Sequence, residues 1–318
     1  MLERFRSGVA LAPYATLRAG GEAERFFIAR SVEDVAEAAL FSQKSGMHST
    51  VLGSGSNVLP SDDGVPGLTV INLANAIAVK ADGEVTAACG CSFQDLFLKT
   101  VQAGFRGLEF AVGIPGSLGG ALVSNAGAYR SNISEFLVGL EVVFQGKRTW
   151  VEPSFMEFSY RDSILRRPDP PQCALLQARF VLPKGDRKAS FDEARDYQRQ
   201  RIGKQPAPAS AGSFFKNVHD KDLAMSLDNM PARLKEAGVV PAGYLIENVG
   251  LRGFRHEDVM IAPRHANFLI NVGGAKATAI RRLAEHAKTK VYEKYGVTLE
   301  EEVLYLGDWS RYKPTKIA

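Results

Sequence analysis

Cysteine is scarce in this chain: Cys89, Cys91 and Cys173 are the only three in 318 residues. So low and odd a count excludes a disulfide scaffold. Cys89-Gly-Cys91 has no second ligand pair to complete a metal site, and reads better as small apolar residues ending a strand. The five histidines (His48, His219, His256, His265, His286) form no His-Glu-x-x-His pair, so no metal is expected. No apolar run approaches the roughly 18 residues that a membrane-crossing helix needs. The opening Met1-Leu-Glu-Arg-Phe-Arg lacks an apolar signal core, which predicts a cytoplasmic protein without a membrane partner. A net charge of +4 with no basic tract interleaved with aromatics argues against nucleic acid and suits a small anionic substrate. There is no internal repeat, and oligomeric state is unreadable.

Glycine is what stands out. Gly113-Ile-Pro-Gly-Ser-Leu-Gly-Gly120 packs four glycines into eight residues and runs on into Asn125-Ala-Gly-Ala-Tyr129. Backbone without Cβ can come very close to a ligand, and consecutive N–H groups feeding a helix start suit a diphosphate. The stretch lacks both the Lys-Ser/Thr ending of a P-loop and the Rossmann spacing. Alone it reads equally well as a packed turn. A second loop, Val51-Leu-Gly-Ser-Gly-Ser-Asn-Val-Leu59, offers Ser54, Ser56 and Asn57 beside further backbone donors, and Thr16-Leu-Arg-Ala-Gly-Gly21 is a third. Together the loops point to a long ligand with an extended pyrophosphate.

Periodicity predicts strands at 24–29, 49–53, 68–72, 77–80, 84–89, 139–144 and 174–182. Ser31 with Asp34 predicts a capped helix, Ser92 to Gly104 a second, Phe191 to Arg201 a charged third, and Lys276 to Tyr295 a long amphipathic one. Short strands around isolated helices indicate an α+β fold. Lys204-Gln-Pro-Ala-Pro-Ala-Ser-Ala-Gly212 reads as an interdomain hinge. A terminal strand, 302–306, is expected to pair with one near 268–271.

Six motifs, in order, carry a family resemblance: Thr16-Leu-Arg-Ala-Gly-Gly21, Gly53-Ser-Gly-Ser-Asn57, Gly113 to Gly120 with Asn125 to Tyr129, Tyr160-Arg-Asp-Ser163, Gly212-Ser-Phe-Phe-Lys-Asn217, and Leu299-Glu-Glu-Glu-Val303. They resemble those of the UDP-N-acetylenolpyruvoylglucosamine reductases (MurB), over about Leu11 to Gly307. The resemblance implies a two-lobed FAD-binding domain of the p-cresol methylhydroxylase type (lobes 1–75 and 76–205) and a C-terminal α+β substrate domain (206–318). It implies non-covalent FAD, NADPH as co-substrate, and a UDP-sugar substrate whose enolpyruvyl double bond accepts hydride.

Residue roles follow from the same match. Arg161 corresponds to the catalytic arginine, whose fork suits the carboxylate as enolate charge builds. Ser213 corresponds to the proton donor. Glu302 corresponds to the last catalytic carboxylate. FAD contacts are implied for Arg18, Gly53, Ser54, Gly55, Ser56, Asn57, Gly113, Ile114, Pro115, Gly116, Ser117, Gly119, Gly120, Asn125 and Arg161. Substrate contacts are implied for Tyr129, Lys204, Asn217 and His265. Each has a plain alternative: Arg161 paired with a nearby aspartate, Ser213 as a turn residue, His265 as a turn histidine.

Three positions depart from the family pattern: Glu301 stands for proline, Val218 for proline and Glu257 for glycine. The short spacing between Arg161 and Ser213 places the chain in the branch without an inserted substrate-covering tyrosine loop. Two other functions stay open at this stage. One is a different FAD-dependent oxidoreductase of the superfamily, and the other a non-catalytic flavin or UDP-sugar binding paralogue.

Overall fold

The structure, a computed structural model, describes residues 2–202 and 209–317. The described chain divides into two compact units. The first takes the chain up to Ala10, Glu22–Gly55 and Val65 onward to Ile202. The second takes Leu11–Gly21, Ser56–Gly64 and everything from Ala209. Two short N-terminal segments, counted within 1–75 by the sequence division, therefore pack with the C-terminal part.

The first unit has two sheets. One orders strands Arg6–Ala10, Glu22–Ala29, Val65–Asn72 and Ser49–Leu52, the first pair antiparallel and the others parallel. Its crossover is helix α1 (Val32–Lys44). Ser31 Oγ accepts from the Asp34 N–H at 3.0 Å and the Asp34 carboxylate reaches back to the Ser31 N–H, the expected capping box. The other sheet is antiparallel, in the order Lys147–Val151, Leu137–Phe144, Cys173–Val181, Glu84–Ala88, Ile77–Val79. Against it lie α2 (Phe93–Gln102) and α3 (Leu118–Val123), with Phe93, Leu96, Phe97, Leu140 and Phe180 fully buried. Helix α4 (Arg187–Ile202) starts four residues before the expected Phe191. Asp186 accepts from the Ala189 N–H at 2.8 Å, so the stretch taken for a polar break holds the cap.

The second unit packs α5 (Lys221–Ser226), α6 (Ala232–Ala237), α7 (Ala242–Asn248) and α8 (Ala277–Tyr295) with short strands. Ile280, Leu283, Ala284, Ala287 and Val291 form the buried face of α8, and Gly296 ends it at φ +70°. The terminal strand corrects an expectation. Leu304–Leu306 pairs in parallel with Val58–Pro60, whereas Leu269–Asn271 pairs with Val259–Ile261 and Ala209–Ser210. Both edges of the Leu269–Asn271 strand are thereby filled. The free edge lies beside the second glycine loop, about 245 residues away along the chain.

Candidate active site

In the first unit the two larger glycine loops meet. A Cβ on Gly53 would lie 2.7 Å from Ser117 Cβ, and one on Gly119 would lie 3.0 Å from the Cys89 carbonyl oxygen. No side chain fits at either place without a shift. The start of α3 is less open than its glycines imply. The N–H groups of Leu118 and Gly119 donate to the Cys91 and Cys89 carbonyls at 2.9 and 2.7 Å, and that of Gly120 to Ser117 Oγ at 3.3 Å. Among the described residues, nothing accepts from the N–H of Gly116 or Ser117. These two donors lie beside Gly53-Ser-Gly55.

Cys89 and Cys91 form the shelf under that helix start. Burial pushes the Cys89 thiol well up and the Cys91 thiol up to about 12, as befits inert packing residues. Among the described residues, no three His, Cys, Asp or Glu side chains could share a metal ion.

Arg161 sits at φ +53° in the Tyr160–Ser163 turn. Ser163 Oγ donates to the Val123 carbonyl at 2.6 Å, and Asn125 Nδ2 donates to the Ser159 carbonyl at 2.9 Å. These bonds fasten the turn to the end of α3. The Arg161 guanidinium lies over the Tyr160 ring and donates to the carbonyls of Asn125 and Gly127. These two backbone carbonyls help to orient it. Four proposed site residues, Arg18, Asn125, Tyr129 and Arg161, take positive φ, a conformation that costs a non-glycine residue on the order of 1 kcal/mol or more. Strain of that kind collects where a site must hold a fixed shape.

Tyr129 is already engaged. Its ring stacks on Tyr197 of α4 at 3.7 Å between centroids, and its hydroxyl donates to the Tyr197 carbonyl at 3.0 Å. Burial and the bond to Glu193 push the Tyr197 phenol up to about 12.

In the second unit, the segments that carry Ser213 and Glu302 are far apart in sequence and are joined backbone to backbone. The Glu302 N–H donates to the Phe214 carbonyl at 2.8 Å, the Lys216 N–H donates to the Glu300 carbonyl at 2.8 Å, and Phe215 bridges Glu301. Asn267 holds the serine side of this bridge at three points. Its backbone carbonyl accepts from Phe214, its side-chain oxygen from Phe215 at 3.0 Å, and its amide donates to the Phe215 carbonyl at 2.8 Å. Asn57 holds the glutamate side, donating from Nδ2 to the Glu302 carbonyl at 3.0 Å while its own carbonyl accepts from Leu304. Neither clamp is visible in the sequence. The one signal for Asn267 is an amide set between apolar residues just before a strand.

The other expected residues are placed as follows. Arg18 is exposed, and its carbonyl accepts from Asn271 at 3.3 Å. Gly20 and Gly21 permit close packing: a Cβ would meet Pro60 Cβ at 2.7 Å or the Asp62 carbonyl carbon at 2.9 Å. These two glycines thus pack closely within the second unit. Asn217 Oδ1 caps α7, accepting from the Ala242 N–H at 3.2 Å. His265 Nδ1 accepts from the Asn267 N–H at 3.2 Å and its ring meets Phe268 edge to face. Lys204 lies outside the described residues. Glu257, in its departure from glycine, stands at φ +52° in the turn between Arg255–His256 and Val259–Ile261.

Comparisons with known proteins bear on this arrangement. Residues 23–152 match the family model for an FAD binding domain, and residues 204–306 match that of the UDP-N-acetylenolpyruvoylglucosamine reductase C-terminal domain. The UDP-N-acetylenolpyruvoylglucosamine reductase of Synechococcus sp. (strain JA-3-3Ab) is 34% identical over 309 residues, 96% of this chain and 92% of that protein. The chain belongs to the UDP-N-acetylenolpyruvoylglucosamine reductase family. The Bacillus subtilis (strain 168) reductase is 34% identical over 300 residues, 93% of this chain and 92% of its own length. The crystal structure of the reductase (MurB) from Thermus caldophilus superposes with a TM-score of 0.75 at 29% identity, covering 95% of this chain and 99% of that one. No helix of the described residues is long and apolar enough to cross a membrane.

Proposed function

We propose that this chain reduces the enolpyruvyl group of UDP-N-acetylglucosamine enolpyruvate to give UDP-N-acetylmuramate, a precursor of peptidoglycan, and that it works in the cytoplasm. The observation that supports the mechanism is the backbone bond from the Glu302 N–H to the Phe214 carbonyl, which joins the segment that carries Ser213 to the one that carries Glu302.

The residues fit an FAD. Gly53–Gly55 and Gly113–Gly120 meet closely, Gly53 against Ser117, and the N–H groups of Gly116 and Ser117, from which no described residue accepts, would hold its diphosphate. Ser54, Ile114, Pro115 and Asn125 line the same loops, and Arg18, Ser56 and Asn57 are the family-matched contacts of the second unit. No histidine falls within either loop, so the flavin is held without a covalent bond. When bound, it supplies the hydride that NADPH provides.

The chain's own residues then manage charge and proton. Hydride arriving at C3 of the enolpyruvyl group sends electron density toward C2 and the carboxylate. Arg161 stabilises that enolate through its guanidinium, which its two backbone carbonyl partners orient. Ser213 gives its hydroxyl proton to C2. Glu302 polarises the enol region or relays the replacement proton through water. Tyr129, Lys204, Asn217 and His265 contact the UDP-sugar. The chain is of the branch without the inserted tyrosine loop.

Purified protein tests this reading. It should be yellow, release its flavin on denaturation, and oxidise NADPH only when the enolpyruvyl nucleotide is present. Flavin that stays attached after denaturation marks a different oxidoreductase, and flavin binding with no turnover marks a non-catalytic paralogue.

A further inference from the structure

We propose that Tyr197 of α4 is a positioning residue for the UDP-sugar site: its ring and its backbone carbonyl fix the Tyr129 side chain in the orientation that meets the substrate. The assignment rests on the reductase reading, under which Tyr129 contacts the UDP-sugar, and on the first unit alone for its geometry.

Tyr129 stands in a turn that its own sequence does not favour. Gly127–Ala128 pairs antiparallel with Ser131–Asn132, so Tyr129 and Arg130 alone make the connection. Both take positive φ, +55° and +70°, as a type I′ hairpin turn requires. Such turns normally use Asn-Gly, because a Cβ is crowded in that conformation. The hairpin is held by its neighbours instead. On the return side the Glu135 carboxylate accepts from Ser131 Oγ at 2.6 Å and from the Asn132 N–H at 3.0 Å. On the outgoing side the Gly127 carbonyl accepts from Arg161.

At the tip the neighbour is Tyr197. The two rings are nearly parallel, at 7°, with centroids 3.7 Å apart, so one lies almost squarely over the other. One face of Tyr129 is covered, and the ring cannot turn without breaking the stack. Its hydroxyl donates to the Tyr197 carbonyl at 3.0 Å, a second point of attachment at the far end of the side chain. Tyr197 is itself anchored. Its hydroxyl donates to Glu193, one helical turn earlier, at 2.5 Å. Between them Ala194 is buried in the core of the unit, and Phe191 meets Phe97 of α2 edge to face at 6.3 Å. The helix is thus a fixed wall from which Tyr129 takes its place. Tyr129 is only partly buried, which leaves part of its ring to meet a ligand. A side chain ordered in advance costs less to order when the substrate arrives. Because Gly127 receives Arg161, the aromatic contact and the guanidinium are built on one hairpin.

Calorimetry of the flavin-loaded enzyme with the enolpyruvyl nucleotide, in the absence of NADPH, measures affinity without turnover. Tyr197→Leu keeps an apolar side chain on α4 but removes the stacked ring, and should bind the nucleotide about tenfold more weakly. Tyr197→Phe keeps both the stack and the backbone carbonyl, and should recover most of the loss. In steady state the KM of Tyr197→Leu should rise by a similar factor, with kcat and the rate of flavin reduction by NADPH nearly unchanged. The double variant Tyr129→Leu, Tyr197→Leu should bind no more weakly than Tyr129→Leu alone, because Tyr197 acts through Tyr129. Native affinity in Tyr197→Leu, additive losses in the double variant, or slowed flavin reduction alongside the lost affinity overturns the assignment. Wild-type enzyme that turns the nucleotide over while Tyr197→Leu binds it normally fails only the positioning role. Wild-type enzyme that binds the nucleotide without turnover, and loses affinity in Tyr197→Leu, fails only the reductase reading. Wild-type enzyme that binds no enolpyruvyl nucleotide overturns both.

Discussion

Lys288 Nζ lies 2.9 Å from both carboxylate oxygens of Glu301, so α8 is tied by an ion pair to the residue next to Glu302. Both side chains are largely buried, at 28% and 19% exposure. Glu301 is the residue that stands where the family pattern has proline. The bridge it belongs to uses the Glu300 carbonyl and the Glu302 N–H, leaving the Glu301 N–H out of the ladder. Proline would therefore sacrifice no bond there. The ion pair does with charge what a fixed φ does elsewhere: it steadies the strand that presents Glu302.

Removing either partner should therefore cost stability while proline restores it. Glu301→Ala and Lys288→Ala are each expected to destabilise by about 0.5–1 kcal/mol in denaturant titration, with the double variant less than additive. Glu301→Pro should match the native chain in stability and turnover. A strictly additive double variant would show that the pair contributes nothing.

The start of α8 depends on a residue from the other end of the sequence. Lys276 gives no side-chain cap. Asp62 instead accepts from the N–H groups of Ala277 and Thr278 at 2.9 and 2.8 Å, placing negative charge at the helix N-terminus. Asp62→Ala should lower unfolding stability by about 1–2 kcal/mol, with Asp62→Asn in between. Chemical denaturation of the three chains checks the order.

His286 gives the fold a pH dependence of known sign. It stacks on Phe254 at 5.3 Å, and burial, then Lys290, pushes its pKa below the usual histidine value, with Glu293 opposing. The folded state thus prefers the neutral ring. Its stabilising effect is complete above the unfolded pKa of about 6.5 and is lost as pH falls below that toward the folded value. His286→Phe should flatten the pH dependence of melting temperature in this window. An unchanged slope would assign it to other groups.

Arg161→Lys separates geometry from charge. The ammonium keeps the positive sign but cannot reach two backbone carbonyls and a carboxylate with one planar fork. Turnover should fall by about one to three powers of ten, with flavin affinity nearly unchanged. A large loss of flavin with turnover of the remaining holoenzyme unchanged would limit Arg161 to its expected flavin contact.

How much of this was legible beforehand depended on locality. The Ser31–Asp34 box, the Ser92 cap and the Gly104 and Gly296 stops are set within a turn of chain, and the structure has them. So are the alternating strands at 84–88 and 173–181, whose bounds fall within a residue or two of the pattern. The parallel pairing of Leu304 with Val58, the Asp62 cap and the Asn267 clamp are contacts between distant segments of three or fewer residues, which leave no periodicity to read. Gly20 and Gly21, in a loop whose sequence suggests a ligand, also pack closely on Pro60 and Asp62, because a missing Cβ serves either purpose. At the site, the motifs named Ser213 and Glu302, but nothing in them shows that the Glu302 N–H donates to the residue after Ser213.

The most direct test of the proposed chemistry is the pair of half-reactions of Ser213→Ala, followed separately by rapid mixing. Reduction of the bound flavin by NADPH should proceed at the native rate, while its reoxidation by the enolpyruvyl nucleotide slows by roughly two to four powers of ten, the usual worth of a positioned proton donor. Equal slowing of both half-reactions, or of neither, would contradict the account.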